Sequence, residues 1–312
     1  MDLKGPESAH ASVLLSETIK ILDPQPNEVF VDATLGLGGH TKALLETEAT
    51  LSVTGIDQDA DAMRLAKLRL SSFGERVTFR HGNFADIGKF VREADGVLAD
   101  LGVSSLQFDS DTRGFSFRFD APLDMRMDAD SDDPTAAQLL EELTEEEIAN
   151  VIYGYGEERF SRRIARRIVE RRKAGNPVRT TSDLAALVER SVPRKPKDKI
   201  HPATKTFQAL RIAVNRELEV LDGFLKDSVD LLRPNGRLAV ISFHSLEDRI
   251  VKQAFLKASG RCQCPPRIPQ CQCGAKKVVE ILTKKPITAG EEEINLNPRS
   301  RSAKLRAVKK LA

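Results

Sequence analysis

Between residues 29 and 101 two hydrophobic patterns alternate. Short apolar runs bounded by turn residues, VFV at 29–31, LSVTGI at 51–56, VTF at 77–79 and VLADL at 97–101, read as buried strands. The stretches between them, Thr41 to Leu45, DADAMRLAKLRLSSF with Ala62, Leu65, Leu68 and Leu70, and IGKFVREA, carry helical spacing. This βαβαβ alternation predicts an α/β fold with a parallel sheet, helices on both faces, and a ligand at the carboxyl ends of the strands. The fourth strand should lie beside the first, placing Asp100 at the ligand crevice. Upstream, HASVLLSETIKIL reads as an amphipathic helix that starts near Ser12 or Ser16, with His10 and Ser12 either bordering a site or capping the helix.

From Asp111 the pattern changes. A polar stretch, DTRGFSFRFDAPLDMRMDADSDDP, precedes a set of helices that read as an insertion. Thr144 and Glu147 make a capping box for EEEIANVIYGYG. In ERFSRRIARRIVERRKAG, Phe160, Ile164 and Ile168 form an apolar face opposite Arg162, Arg163, Arg166, Arg167, Arg171 and Arg172. An arginine-rich face suits a phosphate backbone, or else it is solvated and paired with neighbouring glutamates. A short helix, SDLAALVERSV, and a basic loop, PRKPKDKIHPATK, follow. A helix from about Thr206 to Leu232 returns the chain to the core, where PNG turns into a fifth strand and DRIVKQAFLKA forms another helix. VVEILTKKPI and SAKLRAVKKL read as a closing antiparallel pair, which suits a methyltransferase sheet better than a dinucleotide sheet. The expected organisation is a core in two parts, 1–110 and 206–312, with a helical domain at 111–205 between them.

The chemistry concentrates in VFVDATLGLGGHTKALLE, where a strand enters a glycine-rich turn and then a helix. Gly36, Gly38 and Gly39 let a ligand approach main-chain N–H groups, and Asp57 stands where a carboxylate holds ribose hydroxyls. A dinucleotide fingerprint wants a third glycine where Thr41 stands. The turn therefore fits S-adenosylmethionine better than a pyrophosphate, with Asp32 as the carboxylate of the preceding strand. Phe84 either flanks an adenine ring or packs in the core.

Composition sets the outer bounds. With 312 residues, 40% of them hydrophobic, the chain can bury a real core, and a net charge of +2 neither demands nor excludes nucleic acid. No apolar run is long enough to span a bilayer and no signal peptide is evident, so the expected location is the cytoplasm. Cys262, Cys264, Cys271 and Cys273 are the only cysteines, gathered in CQCPPRIPQCQC. In a reducing compartment such clustering suggests a tetrahedral structural zinc or reduced thiols rather than disulfides.

Several long segments, among them HASVLLSE, VDATLGLGGHTKALLE, GIDQDADA, GNF, DLGVSSLQFD, PLDMRMD, YGEERFSRRIA, HPATKTFQALRIAVNRELE and ISFHSLEDRIVK, resemble in order those of the bacterial small-subunit rRNA methyltransferase H (MraW) family. The resemblance implies a Rossmann-like S-adenosylmethionine-dependent core with an inserted helical domain for the RNA substrate. The implied reaction is methylation of N4 of a cytidine in the decoding region of 16S rRNA. Implied donor contacts fall on Gly38, Gly39, His40, Asp57, Phe84, Asp100 and Gln107, and the implied partner is 16S rRNA, naked or within the small subunit. A homodimer is left open, and zinc is not implied.

For such a reaction a carboxylate must accept the amino hydrogens of cytosine, and Asp100 is the first candidate, with Ser104 and His244 as alternatives. His244, Ser245 and Arg249, with Arg113 and Arg126, are candidates to line the base pocket, unless Ser245 only caps the helix that follows. The rival functions are a dinucleotide oxidoreductase and a non-catalytic RNA-binding assembly factor.

Overall fold

A computed structural model describes residues 12–193, 201–262, 264 and 272–312 of the chain. Helix α1 (Leu15–Leu22) leads into β1 (Val29–Asp32), α2 (Gly39–Thr47), β2 (Ser52–Asp57), α3 (Ala60–Arg69), β3 (Val77–His81), α4 (Ile87–Phe90) and β4 (Ala94–Asp100). Then come α5 (Ser105–Phe108), α6 (Ala136–Glu142), α7 (Glu145–Gly156), α8 (Ser161–Lys173), α9 (Thr181–Ser191) and α10 (Ala203–Asn215). The chain finishes with α11 (Glu217–Leu231), β5 (Leu232–Ser242), α12 (Ser245–Ala258), β6 (Val279–Ile281), α13 (Glu291–Leu296) and β7 (Lys304–Lys310). No helix among the described residues is long and apolar enough to cross a membrane.

Contacts divide the chain into two units. One is formed by the residues up to Gly102 together with Leu218–Ala312, and the other is Val103–Glu217. These crossings differ from the compositional breaks at 111 and 206 for physical reasons. Strand β4 already ends at Asp100, and α10 buries Phe207, Leu210 and Val214 in the same cluster as Ile148, Ile164 and Leu184 of the second unit.

The first unit is one seven-stranded sheet in the order β3-β2-β1-β4-β5-β7-β6. Strands β1 to β5 pair in parallel, while β7 runs antiparallel to both β5 and β6. That is a Rossmann-like methyltransferase sheet: doubly wound, with the last strand inserted in reverse. Period-two alternation explains its two buried faces. Phe30, Leu98, Ala239 and Ile241 join the cluster containing Leu14, Leu22, Leu44 and Leu45. Their neighbours Val31, Val97, Ala99 and Val240 join Phe224, Leu225, Val251 and Phe255.

Several elements depart from the sequence reading. IGKFVREA is helical only over Ile87–Phe90, since Val91 is already extended and β4 begins at Ala94. Helix α1 is entered from Leu14, in a left-handed conformation with no side-chain cap, so neither Ser12 nor Ser16 caps it. Glu293 Oε1 instead accepts from Leu14 N at 2.7 Å. His10 lies outside the described residues. The final strands pair as expected, but β6 is only three residues long.

In the second unit the capping box of Thr144 and Glu147 opens α7. The single helix expected from Thr206 to Leu232 is two helices broken at Arg216, whose φ is 50°. No glycine or proline marks that break. It is held by side chains: Arg211 clamps Glu217 bidentately at 2.8 and 2.9 Å, and Asn215 reaches back to the loop at 125–127. Asn215 Oδ1 accepts from Met127 N at 2.7 Å, and its amide donates to the Met125 and Arg211 carbonyls at 2.8 Å each. Removing three such bonds leaves backbone groups without partners, so Asn215→Ala should destabilise the second unit by about 1–3 kcal/mol. Urea unfolding monitored in that unit checks this, and an unchanged midpoint would mean the loop is held elsewhere.

Candidate active site

Three strands of the first unit end in carboxylates on the same edge: Asp32 closes β1, Asp57 closes β2 and Asp100 closes β4. Because β4 pairs with β1 while β2 lies on the other side of β1, this is where the strand order reverses and where such sheets open a crevice.

The glycine turn is tied to two of these carboxylates. Asp57 Oδ2 accepts from Gly36 N at 2.7 Å and Oδ1 from Asp59 N at 2.8 Å, so one side chain fastens the turn after β1 to the end of β2. Asp32 Oδ2 accepts from Thr41 Oγ1 at 2.7 Å, pinning the first turn of α2 to β1. Thr41 is fully buried, and that bond explains why threonine stands where a dinucleotide turn would have glycine. Gly38 sits at φ +74°, and a Cβ there would meet Leu70; a Cβ on Gly39 would fall on Ser12 Oγ. These two glycines are thus required by close packing of their own chain, and Ser12 does border the turn.

Burial is the largest influence on both carboxyls. It raises Asp32 above the usual range despite nearby His40 and the Thr41 hydroxyl, and it pushes Asp57 up to about 6 against the pull of the Asp59 and Gly36 amides.

Asp100 is positioned by its own backbone, since its N–H donates to Thr34 Oγ1 at 2.6 Å and Leu101 N to Ile241 O at 2.9 Å. Its Oδ2 lies 3.6 Å from His40 Nε2, beyond hydrogen-bond reach. His40 is 5% exposed, and neither of its ring nitrogens has a hydrogen-bond partner; Asp100 Oδ1 is likewise buried and unpartnered. Buried polar atoms left unsatisfied are unfavourable and uncommon, and three of them gathered at a sheet's crevice are what a polar ligand would satisfy. The residues present therefore fit a donor with hydroxyl and amino groups. Phe84 is half-buried and packs edge-on against Phe224, with ring centroids 5.0 Å apart, so its core role is real and its exposed part remains for a ligand.

Other candidates are committed to structural tasks. Ser104 and Gln107 belong to the second unit, where Gln107 N donates to Ser104 Oγ at 3.2 Å and Ser104 N to Gln107 Oε1 at 3.0 Å. They form a reciprocal capping box, for which the S-x-x-Q spacing of SSLQ is the sequence signal. Gln107 Nε2 also reaches Met127 O. The cap of α12 is His244, not Ser245, because β5 ends at Ser242 and leaves His244 as the last extended residue. Its Nδ1 accepts from Glu247 N at 3.4 Å, and its Nε2 lies 3.0 Å from Glu247 Oε1, out of line for a hydrogen bond. Glu247 is buried and also accepts from Phe243 N and His244 N. His244 is thus turned toward its own helix.

Arg113 and Arg126, expected to line a base pocket, bind their own loop. Arg113 donates to the Arg126 and Met127 carbonyls at 3.0 and 2.8 Å, while Arg126 grips Asp124 at 2.8 and 2.9 Å and donates to Ser131 O. Ser245 begins α12 and Arg249 lies along it.

The arginines of α8 divide into two groups. Arg172 donates to the carbonyls of Leu140, Glu141 and Leu143, closing the end of α6, and Arg171 pairs with Asp183 at 2.5 Å. Arg166 makes a loose exposed pair with Glu145 at 3.7 Å. Arg162 and Arg163 are exposed and Arg167 half-exposed, which leaves these three as cations for a partner. The basic loop falls partly outside the described residues, at 194–200, as does Cys271; the sulfurs of Cys262, Cys264 and Cys273 lie together.

Comparison with known proteins agrees with this architecture. A relative from Syntrophotalea carbinolica named ribosomal RNA small subunit methyltransferase H is 52% identical over 97% of this chain and 98% of its own. A second with that name, from Gloeobacter violaceus, is 54% identical over 97% of this chain and 88% of its own. The model of the MraW methylase family matches residues 7–311. A chain matched over nearly its whole length by that model, and this similar to such relatives, belongs to the MraW methylase family.

Proposed function

We propose that this protein methylates N4 of a cytidine in the decoding region of 16S rRNA, with S-adenosylmethionine as the methyl donor. Support for the reaction class comes from the family, and support for rRNA from relatives that carry a small-subunit rRNA methyltransferase name over matching length. The observation that carries the chemistry is the buried Asp100 Oδ1, unpartnered beside an unpartnered His40 at the strand-order reversal. The cytidine position itself rests on the segments from HASVLLSE to ISFHSLEDRIVK.

When bound, the donor supplies a methyl group on a positively charged sulfur. In this reading Asp57 accepts the ribose hydroxyls with the lone pairs left after Gly36 and Asp59, Gly39 and His40 offer main-chain N–H groups beyond the turn at Gly38, whose own N–H donates to Leu35 O at 2.7 Å, and Phe84 flanks the adenine. Cytosine N4 is a poor nucleophile because its lone pair is delocalised into the ring. Asp100 Oδ1 accepts an amino hydrogen, which turns that lone pair out of the ring plane, and takes the proton that N4 sheds as the new C–N bond forms. His40 Nε2 stands 3.6 Å from Asp100 Oδ2 on its other side.

The second unit is the RNA-binding part, with Arg162, Arg163 and Arg167 directed to phosphates and the base presented unstacked rather than read in a groove. Replacing these three arginines with glutamine should lower the slope of log affinity against log salt by about 0.7 per lost phosphate contact. An unchanged slope returns α8 to a purely solvated role. Calorimetry distinguishes the donor: S-adenosylmethionine should bind and NAD should not, whereas the opposite result would restore the dinucleotide reading.

A further inference from the structure

The cysteine loop follows α12 and precedes β6. It leaves α12 at Ser259 and returns at Lys277, where the two residues form an antiparallel bridge and Val278 N donates to Ala258 O at 2.8 Å. Gly260, at φ +81°, permits this approach, because a Cβ there would press on the Lys277 backbone. The neck is therefore closed by main chain. Beyond it, RCQCPPRIPQCQCGAK offers only Ile268 and Ala275 as aliphatic side chains other than proline, too little to hold a segment by hydrophobic burial.

Three sulfurs fill that gap. The Sγ atoms of Cys262, Cys264 and Cys273 lie within 4.8 Å of one another, those of Cys262 and Cys273 3.7 Å apart. Thiolates bound at about 2.3 Å to one tetrahedral zinc stand about 3.8 Å apart. That spacing is also ordinary sulfur contact, so a second feature decides. Main-chain N–H groups are aimed at two of the sulfurs: Cys264 N at Cys262 Sγ, 3.4 Å, and Gln272 N at Cys264 Sγ, 3.3 Å. Such donors stabilise negative charge on sulfur, and the thiolate is the form that ligates metal. The sulfurs gather around a single point, as one metal ion requires, rather than being spread around an iron–sulfur cluster. Two come from the outgoing arm of the loop and one from the returning arm, so a shared ion cross-links the arms.

We propose that Cys262, Cys264 and Cys273 bind one zinc ion as thiolates and that this ion cross-links the two arms that lead from α12 and into β6. Binding releases the three thiol protons and forms three Zn–S bonds, with the fourth position open to one further ligand. The fourth thiol of the motif, Cys271, lies outside the described residues.

Full-length protein purified without chelator should carry about one zinc per chain, falling below about a tenth when Cys262, Cys264 and Cys273 are all replaced by serine. Binding of S-adenosylmethionine by that variant, unchanged from the parent, would show that the core still folds. Should the variant fail to fold, the parent decides alone: cobalt(II) added to metal-stripped protein should give sulfur-to-cobalt charge transfer and tetrahedral d–d bands. A parent chain with no zinc and no cobalt spectrum overturns the site. So does a Cys262–Cys273 disulfide in freshly purified protein, or copper in place of zinc.

Discussion

Asp100→Asn should slow methyl transfer roughly a hundredfold at saturating donor, a loss of ~3 kcal/mol at the transition state, while RNA affinity stays almost unchanged. The amide is the same size and keeps one acceptor oxygen, so the main-chain bonds that place residue 100, to Thr34 and through Leu101 to Ile241, survive. What disappears is the charge. In the proposed reaction, as N4 becomes positive, a neutral amide stabilises it less than a carboxylate does, and it cannot take the proton. The loss therefore falls on turnover rather than on ground-state binding. Single-turnover rates measured at saturating donor check this. Parental rates in the variant would reduce Asp100 to a donor contact.

The second large effect is expected at Asp57. Asp57→Ala should weaken donor binding by about 3 kcal/mol or more, because two charge-assisted hydrogen bonds to ribose, worth ~1.5–3 kcal/mol each, are lost. The structure makes the change more severe than a count of ribose bonds, since the same carboxylate holds Gly36 N and Asp59 N and alanine also releases the glycine turn. A pH profile separates the contributions. Burial raises the Asp57 carboxyl to about 6, and only the ionised form accepts both hydroxyls. Donor affinity in the parent chain should therefore be greatest above that pH and decline as pH falls through it, up to about tenfold per unit, with the break absent in the variant. The sign for the fold is opposite: a carboxyl raised above its unfolded value makes its stabilising contribution when protonated and loses it as pH rises through about 6. Calorimetric titrations between pH 5 and pH 8 measure the affinity. A flat profile would place Asp57 away from the ribose.

Much of the first unit is legible in the sequence because its signals are local. Short apolar runs such as VFV and VLADL give the strands, and chain order then puts Asp32, Asp57 and Asp100 on one edge. What is not legible depends on partners distant in sequence. The break at Arg216 is set by Asn215 reaching 88 and 90 residues back, and the entry into α1 by Glu293, 279 residues on. Charge without partners misleads in the same way. Arg113, Arg126, Arg171 and Arg172 look like nucleic-acid contacts in the sequence, yet each is occupied with a carbonyl or carboxylate of its own unit. His244 appears to offer an imidazole at a strand end until Glu247, three residues on, takes it as a cap. At His40 the reverse holds: the family resemblance of GLGGH alone marks it in the sequence, and its buried ring nitrogens without hydrogen-bond partners supply the physical reason.

One measurement reaches the central claim most directly. Small ribosomal subunits lacking the modification would be incubated with this protein and methyl-labelled S-adenosylmethionine, and the 16S rRNA then digested to nucleosides and mapped by mass spectrometry. The account predicts label in N4-methylcytidine at a single decoding-region position, lost with Asp100→Asn. Label on carbon 5 of cytosine, on ribose or on another base, or no transfer from a protein that binds the donor, would contradict it.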